Sequence, residues 1–419
     1  MLKIDGQRLY DRVLALGKIG AFLHEPTGLM GVNRLALTDA DAEGRRQVVA
    51  WMREAGLAVS IDKIGNVYGR REGTDPTAAP VMAGSHIDSV PTGGAFDGAL
   101  GVLSGLEFVR TLNDQAHVTR RPIVVAFFTD EEGARFGTDM LGSAVATGRI
   151  PLDVARATRD AEGRTVGEEL DRIGFTGDRD PVLAPPHAYV EFHIEQGPIL
   201  ARKHVDIGVV SGVQAISWQE LTIDGRAAHA GTTPMDLRAD AGLAAARINV
   251  ELNAMAKGWR FGKDMRATMG AIRPYPGLVN IIPGQVVATV DLRNPDDGMM
   301  RAAEEALVAF IRKVEGDCGV KVRARQTART AAVRFDETVQ DLITATADEL
   351  GFTHAAILSG AGHDAQEMSR LCKTAMVFVP GEFDGISHNP RERSTLEQVT
   401  RGAHVHASVL LALAEEAGA

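Results

Sequence analysis

Cysteine is almost missing from this chain, with only Cys318 and Cys372 in 419 residues. Two thiols so far apart offer neither the close pairs of a thiolate zinc site nor a disulfide framework, so a reducing, cytoplasmic setting is expected. A basic surplus is missing too. With 45 Lys+Arg against 55 Asp+Glu the formal net charge is -10, which leaves no positive field to recruit nucleic acid. No apolar run reaches the length of a membrane span, and the mixed start Met1-Leu2-Lys3-Ile4-Asp5-Gly6 lacks the pattern of a secretory signal. Internal repeats and low-complexity tracts are absent. What remains is a globular chain, 45% hydrophobic and long enough for two domains with a core each.

What is present begins with short apolar strands that alternate with amphipathic helices. Leu9, Val13, Leu14, Leu16 and Ile19 are spaced as one face of a helix within residues 5 to 25. Val81-Met82-Ala83-Gly84 reads as a strand, and Leu100, Leu103, Leu106 and Val109 mark one side of a helix over 97 to 110. The wholly apolar run 123 to 128 suits a buried parallel strand. An α/β fold with helices on both faces of a sheet follows. From about 208 to 325 the texture changes: 216 to 223 and 286 to 292 alternate in polarity around an Ala-rich helix at about 236 to 256. This predicts a smaller α+β unit inserted at 210–329, with 1–209 and 330–419 forming the main domain. The Arg/Ala stretch 323 to 334 reads equally as a strand or as a crossing between domains.

Chemistry-bearing residues cluster just after the apolar strands, where open α/β sheets keep their sites. His86-Ile87-Asp88 is followed by Gly93-Gly94-Ala95-Phe96-Asp97-Gly98, and Thr129-Asp130-Glu131-Glu132-Gly133 closes the run 123 to 128. His86 and Asp88, two apart, share one face, as suits a histidine ligand steadied by a carboxylate. Asp97 has two oxygens and can bridge two cations. Glu131 and Glu132 diverge at a strand end, so that one can bind metal while the other holds the attacking water. His193 and His388 supply two further imidazoles. Taken singly, His193 or His388 reads as a structural histidine, Asp97 as a turn or cap and the two glutamates as a solvated loop. Five segments that each bring a ligand to a strand end point instead to a two-metal hydrolase centre, which activates water at neutral pH.

Six motifs then carry a resemblance: Gly-Ser-His-Ile-Asp-Ser (84 to 89), Gly-Gly-Ala-Phe-Asp-Gly (93 to 98), Thr-Asp-Glu-Glu-Gly (129 to 133), Glu-Phe-His-Ile-Glu-Gln-Gly-Pro (191 to 198), Ala-His-Ala-Gly-Thr-Thr-Pro-Met (228 to 235) and Ser-His-Asn-Pro (387 to 390). In this order they resemble the M20-type metallopeptidase-like amidases of the hydantoinase/carbamoylase branch. That group includes N-carbamoyl-L-amino acid hydrolases, allantoate amidohydrolases and β-ureidopropionases. The resemblance implies an aminopeptidase-like catalytic domain with two divalent ions per subunit and an inserted lid that dimerises. It places one ion on His86, Asp97 and His193 and the other on Asp97, Glu132 and His388. Glu131 becomes the general base and Asp88 the partner of His86. For the substrate it implies Gln196, Asn280, Arg293, Gly360 and His229, the last as an oxyanion donor acting across a homodimer interface. His363 and Asp364 stay undecided.

The activity so implied is hydrolysis of a linear ureido carboxylate, such as an N-carbamoyl-L-amino acid, to the amino acid, ammonia and carbon dioxide. Allantoate amidohydrolase and β-ureidopropionase activities are the near alternatives. An aminopeptidase or dipeptidase is more distant, as is a ligand-binding relative without catalysis. The ligand set suits zinc, manganese, cobalt or nickel.

Overall fold

The structure, a computed structural model, describes residues 2–417. Two compact units make it up, one from the segments up to Val213 and from Arg334 onward, the other Gln214–Val333. The chain is a mixed α/β protein.

A nine-stranded sheet begins at Val333–Arg334, where the chain passes from the second unit back into the first, and runs on in the order Ile207–Val213, Lys373–Val379, Ala188–Ile194, Val81–His86, Ile123–Phe128, Val67–Arg71 and Ala58–Ile61, with His354–Ser359 also paired to Ile207–Val213. Its centre is parallel: Val81–His86 pairs in register with Ile123–Phe128, and Ala188–Ile194 with Lys373–Val379. The carboxyl ends of these four strands therefore lie along one edge. The sheet turns antiparallel outward, since Val67–Arg71 runs against Ile123–Phe128 and Ile207–Val213 against Lys373–Val379.

Strand alternation places helices on both faces. Along Ala188–Ile194, Phe192 stacks on His406 of the helix Leu396–Glu415. Glu191, pointing the other way, accepts the N–H of Ala365 in the helix Asp364–Met368 at 2.8 Å. Val81–His86, Ile123–Phe128 and Ala188–Ile194 are buried throughout.

The second unit pairs Gln285–Asn294 along its whole length with Ala215–Asp224, which pairs in turn with Lys321–Thr330, all antiparallel. Every second residue of Gln285–Asn294, from Val286 to Leu292, enters a core shared with Ile248 and Leu252 of the helix Ala241–Lys257 and Leu307 and Ile311 of Asp297–Cys318. The face opposite that core carries Asp291 and Arg293.

Several expected elements shift, each for a local reason. The first helix stops at Leu16 because Gly17 and the left-handed Gly20 turn the chain into the strand Ala21–His24. The helix expected from Asp97 begins at Ala99, after Gly98 at φ 63°. The Ala-rich helix starts at Ala241 rather than 236, since Asp240 accepts the N–H groups of Gly242 and Leu243 and so caps it. The run Ile123–Phe128 is parallel to one neighbour only. The undecided stretch at 323 to 334 is mostly the strand Lys321–Thr330.

His406 shows how tightly the helix Leu396–Glu415 is seated. Its Nε2 lies 3.2 Å from the carbonyl of Val190, which can only accept, so Nε2 carries the hydrogen and Nδ1 accepts from Ser104 Oγ at 2.9 Å. Burial holds this imidazole's pKa down at about 4, below the 6.5 of an unburied one. Between pH 6.5 and 4 the unfolded chain thus binds a proton that the native chain lacks, so native stability falls as pH drops through that window. The loss should total about 3 kcal/mol, and in His406→Gln this part of the slope should vanish in denaturant titrations at pH 7, 5.5 and 4.5.

Candidate metal centre

Three buried strands end at the site, and each leaves a ligand there. His86 is the last residue of Val81–His86, and its Nδ1 donates to the carbonyl of Asp88 at 3.0 Å. His193, near the end of Ala188–Ile194, donates from Nδ1 to the carbonyl of Ile194 at 2.8 Å. Both rings are thereby fixed with Nε2 as the lone-pair nitrogen. His193 Nε2 also accepts the N–H of Gly98 at 3.1 Å. The Asp88 carboxylate stands 3.6 Å from His86 Nδ1, and its two oxygens take the N–H groups of Glu131 and Glu132, each at 3.4 Å. Asp88 thus meets His86 mainly through its carbonyl, while its side chain holds the glutamate loop.

Asp97 lies between the imidazoles. Its Oδ1 is 3.2 Å from His193 Nε2 and 3.6 Å from His86 Nε2, and its Oδ2 is 3.5 Å from His388 Nε2. Gly98 makes this approach possible, because a Cβ there would stand 2.4 Å from the His86 ring and its φ of 63° disfavours other residues. Glu131 Oε2 turns to His86 Nε2 at 3.4 Å, whereas Glu132 Oε2 turns to His388 Nε2 at 3.3 Å. Two groups of possible ligands result, His86-Asp97-His193 and Asp97-Glu132-His388, with Asp97 in both.

The charge pattern fits divalent cations. Burial pushes the Glu131 carboxyl well above the ordinary carboxylate range against the pull of His86, and Glu132 rises to about 7 from burial and the neighbouring Asp97. Glu132 Oε1 and Gln196 Oε1 are buried and accept no hydrogen bond from the described residues. Imidazole nitrogens with carboxylate oxygens are the donor set that borderline divalent ions prefer. A third group, Glu191-His193-His363, fits poorly. Glu191 is already engaged by Ser85 Oγ at 2.7 Å, Tyr189 Oη at 3.1 Å and Ala365 N–H, while His363 Nε2 meets Ser359 Oγ at 2.9 Å with its ring edge against His193. Asp364 accepts from Ser143 Oγ at 2.6 Å. These groups form a polar layer beneath His193.

Of the expected substrate residues, two lie in the first unit. Gln196, in left-handed backbone, donates from Nε2 to Asp97 Oδ2 at 2.8 Å, and Gly360 is exposed in the turn after His354–Ser359. The other three lie in the second unit. His229 pairs with Ile281, and Asn280 accepts the N–H of Ala230 at 2.9 Å, so the two are neighbours. His229 Nδ1 accepts the N–H groups of Gly231 and Thr232 at 3.0 and 3.2 Å, which leaves Nε2–H as a donor on an exposed ring. Arg293 Nε and Nη2 reach Asp291 at 3.0 and 2.9 Å.

Sequence reasoning missed the groups that hold the loops. Fully buried Arg34 donates to the carbonyls of Ile87, Leu16 and Ile19, anchoring the His86-Asp88 turn. Arg45 joins Asp41 at 2.7 Å, the Gly65 carbonyl and Thr129 Oγ1 at the head of the glutamate loop. Glu392 accepts the N–H groups of Phe96 and Asp97. None of the three stands in a strand-end motif, and a lone charged residue in sequence gives no sign that it will be buried.

Comparison with known proteins follows the same lines. The profile of "Peptidase family M20/M25/M40" matches residues 82–412. An N-carbamoyl-L-amino-acid amidohydrolase of Rhizobium meliloti is 42% identical, covering 99% of this chain and 97% of its own. One from Geobacillus stearothermophilus is 39% identical over 96% and 97%. A crystal structure of an amidase of the hydantoinase/carbamoylase family from Burkholderia vietnamiensis superposes with a TM-score of 0.93 at 43% identity, covering 99% and 98%.

Since Asp97 belongs to both ligand groups and His388 to one, their replacements should differ. Asp97→Ala is expected to retain no tightly bound divalent ion, and His388→Ala to retain one, counted as metal per chain after dialysis against manganese.

Proposed function

Given that the chain belongs to the peptidase family M20/M25/M40, we propose that it is a metal-dependent amidohydrolase that cleaves a C–N bond of a linear ureido carboxylate, foremost an N-carbamoyl-L-amino acid. The observation that carries this reading is a single buried carboxylate, Asp97, which presents one oxygen to His86 and His193 and the other to His388. Two divalent ions bound there, whether zinc, manganese, cobalt or nickel, would polarise the ureido carbonyl and acidify the attacking water. His86, Asp97 and His193 would hold one, and Asp97, Glu132 and His388 the other.

The chain's own groups supply the remaining steps. Glu131 accepts a proton from the water as its oxygen bonds to the ureido carbon, and later delivers that proton to the departing amino-acid nitrogen. The carbamic acid released breaks down to ammonia and carbon dioxide. His229 Nε2–H donates to the developing oxyanion, a role supported by the two backbone N–H groups that occupy Nδ1. Arg293, with its planar fork, binds the substrate carboxylate together with Asn280, Gln196 and Gly360. Asp88 keeps the glutamate loop in place. The inserted unit serves as lid and dimerisation domain, and His229 works in the site of the second copy of a homodimer. Two free thiols suit a cytoplasmic setting, and among the described residues no helix is long and apolar enough to cross a membrane.

The test uses protein loaded with manganese or zinc and reads ammonia released from N-carbamoyl-L-amino acids, β-ureidopropionate and allantoate, and free amino acids released from dipeptides. Turnover of the carbamoyl compounds is expected; turnover of allantoate alone shifts the substrate with the mechanism intact, and cleavage of dipeptides alone overturns the reading. Glu131→Gln should keep its metal yet lose about a hundredfold or more in turnover. His229→Ala mixed with Glu131→Gln should recover about a quarter of wild-type activity by random subunit exchange, because each mixed dimer then has one complete site. No recovery would place His229 in its own subunit's site.

A further inference from the structure

Glu392 follows His388 by four residues and lies outside every motif so far considered. Its side chain is buried, 5% of the residue being exposed, and it joins two loops that bring ligands from opposite ends of the chain. Oε1 accepts the backbone N–H groups of Phe96 at 3.1 Å and Asp97 at 3.0 Å. Oε2 accepts from Ser387 Oγ at 2.7 Å, and the same hydroxyl stands 3.0 Å from Asp97 Oδ2. The space is shaped around this carboxylate: a Cβ on Gly94 would lie 2.4 Å from Glu392 Cβ. Glu392 therefore meets Asp97 twice, at its backbone directly and at its outer oxygen through Ser387.

We infer that Glu392 is a positioning residue that sets Asp97 and the Ser387-His388 turn against each other, and so builds the second of the two cation sites. The inference rests on the two-ion reading above. The first site does not need this tie, because His86 and His193 end buried strands and are locked by carbonyl acceptors. His388 has neither support: it is about half exposed, on a loop, in left-handed backbone. Its geometry relative to Asp97 depends on the bridge from Glu392 through Ser387.

The experiment measures bound manganese per chain across graded free manganese, with the thermal midpoint of the metal-free protein alongside. Wild-type protein should take up two ions. Glu392→Ala should keep one and bind the other about ten- to a hundredfold more weakly, with an unchanged metal-free midpoint. Glu392→Gln should restore the second ion, since its carbonyl can accept from Phe96 and Asp97 while its amide donates to Ser387 Oγ, freeing the hydroxyl hydrogen for Asp97. Ser387→Ala should weaken the same ion, and it decides the matter if Glu392→Ala does not fold. Two ions bound with wild-type affinity by the alanine variants overturn the inference and leave the proposed function standing. Loss of both ions together with a lower metal-free midpoint also overturns it, because Glu392 would then be a general support of the fold. Wild-type protein that binds fewer than two ions removes the two-ion reading itself, and the inference with it.

Discussion

Concentrated negative charge away from water is the constraint from which the first unit is built. Asp88, Asp97, Asp130 and Glu131 are all buried along one sheet edge, and Glu132 is nearly so. Isolated carboxylates in such a place cost several kcal/mol each. Nearby imidazoles offset part of that cost, and they hold Asp97 well below the ordinary carboxylate range despite its burial. Asp130 shows the constraint at its sharpest, with both oxygens buried and no hydrogen bond to either from the described residues. Divalent cations, which the donor set fits, would offset the rest of that cost.

Holding such groups in place falls to the framework around them. Arg34 spends its guanidinium on three carbonyls and Arg45 divides its own among a carboxylate, a carbonyl and a hydroxyl. Both positive charges also lie among the acids. Burial lowers the Arg34 pKa to about 10, still far above neutrality, so it stays charged. Local strain appears where side chains must be aimed: Asp130, Gln196 and His388 all adopt left-handed backbone, at about 1 to 2 kcal/mol each. Three such residues around one centre indicate that the site's geometry prevails over local preference.

Strand positions were legible because burial on both faces demands unbroken apolar runs: 123 to 128 is a strand from its first residue to its last. The alternation at 286 to 292 was legible for the complementary reason, one face being packed and the other not. Strand direction was not, since Ile123–Phe128 has a parallel and an antiparallel neighbour and its composition is the same toward both. Helix starts slipped by two to five residues where a glycine at positive φ or a capping aspartate set the boundary. Strand-end spacing drew attention to the side chains that converge on Asp97, because a ligand is a chemical type at a topological position. Arg34, Arg45 and Glu392 act through burial and backbone partners far away in sequence, information that no local pattern holds.

Glu392 and Asp97 are 295 positions apart, with the whole inserted unit between them. The loops that carry them are thus synthesised far apart in time, with the Gln214–Val333 unit made in between. A nascent chain that has not reached Lys373 lacks a strand of the sheet's parallel centre, and one that has not reached residue 388 lacks the imidazole that joins Asp97 and Glu132. Contacts of this span form late and slowly, so the acids gathered around Asp97 wait longest for the turn that faces them.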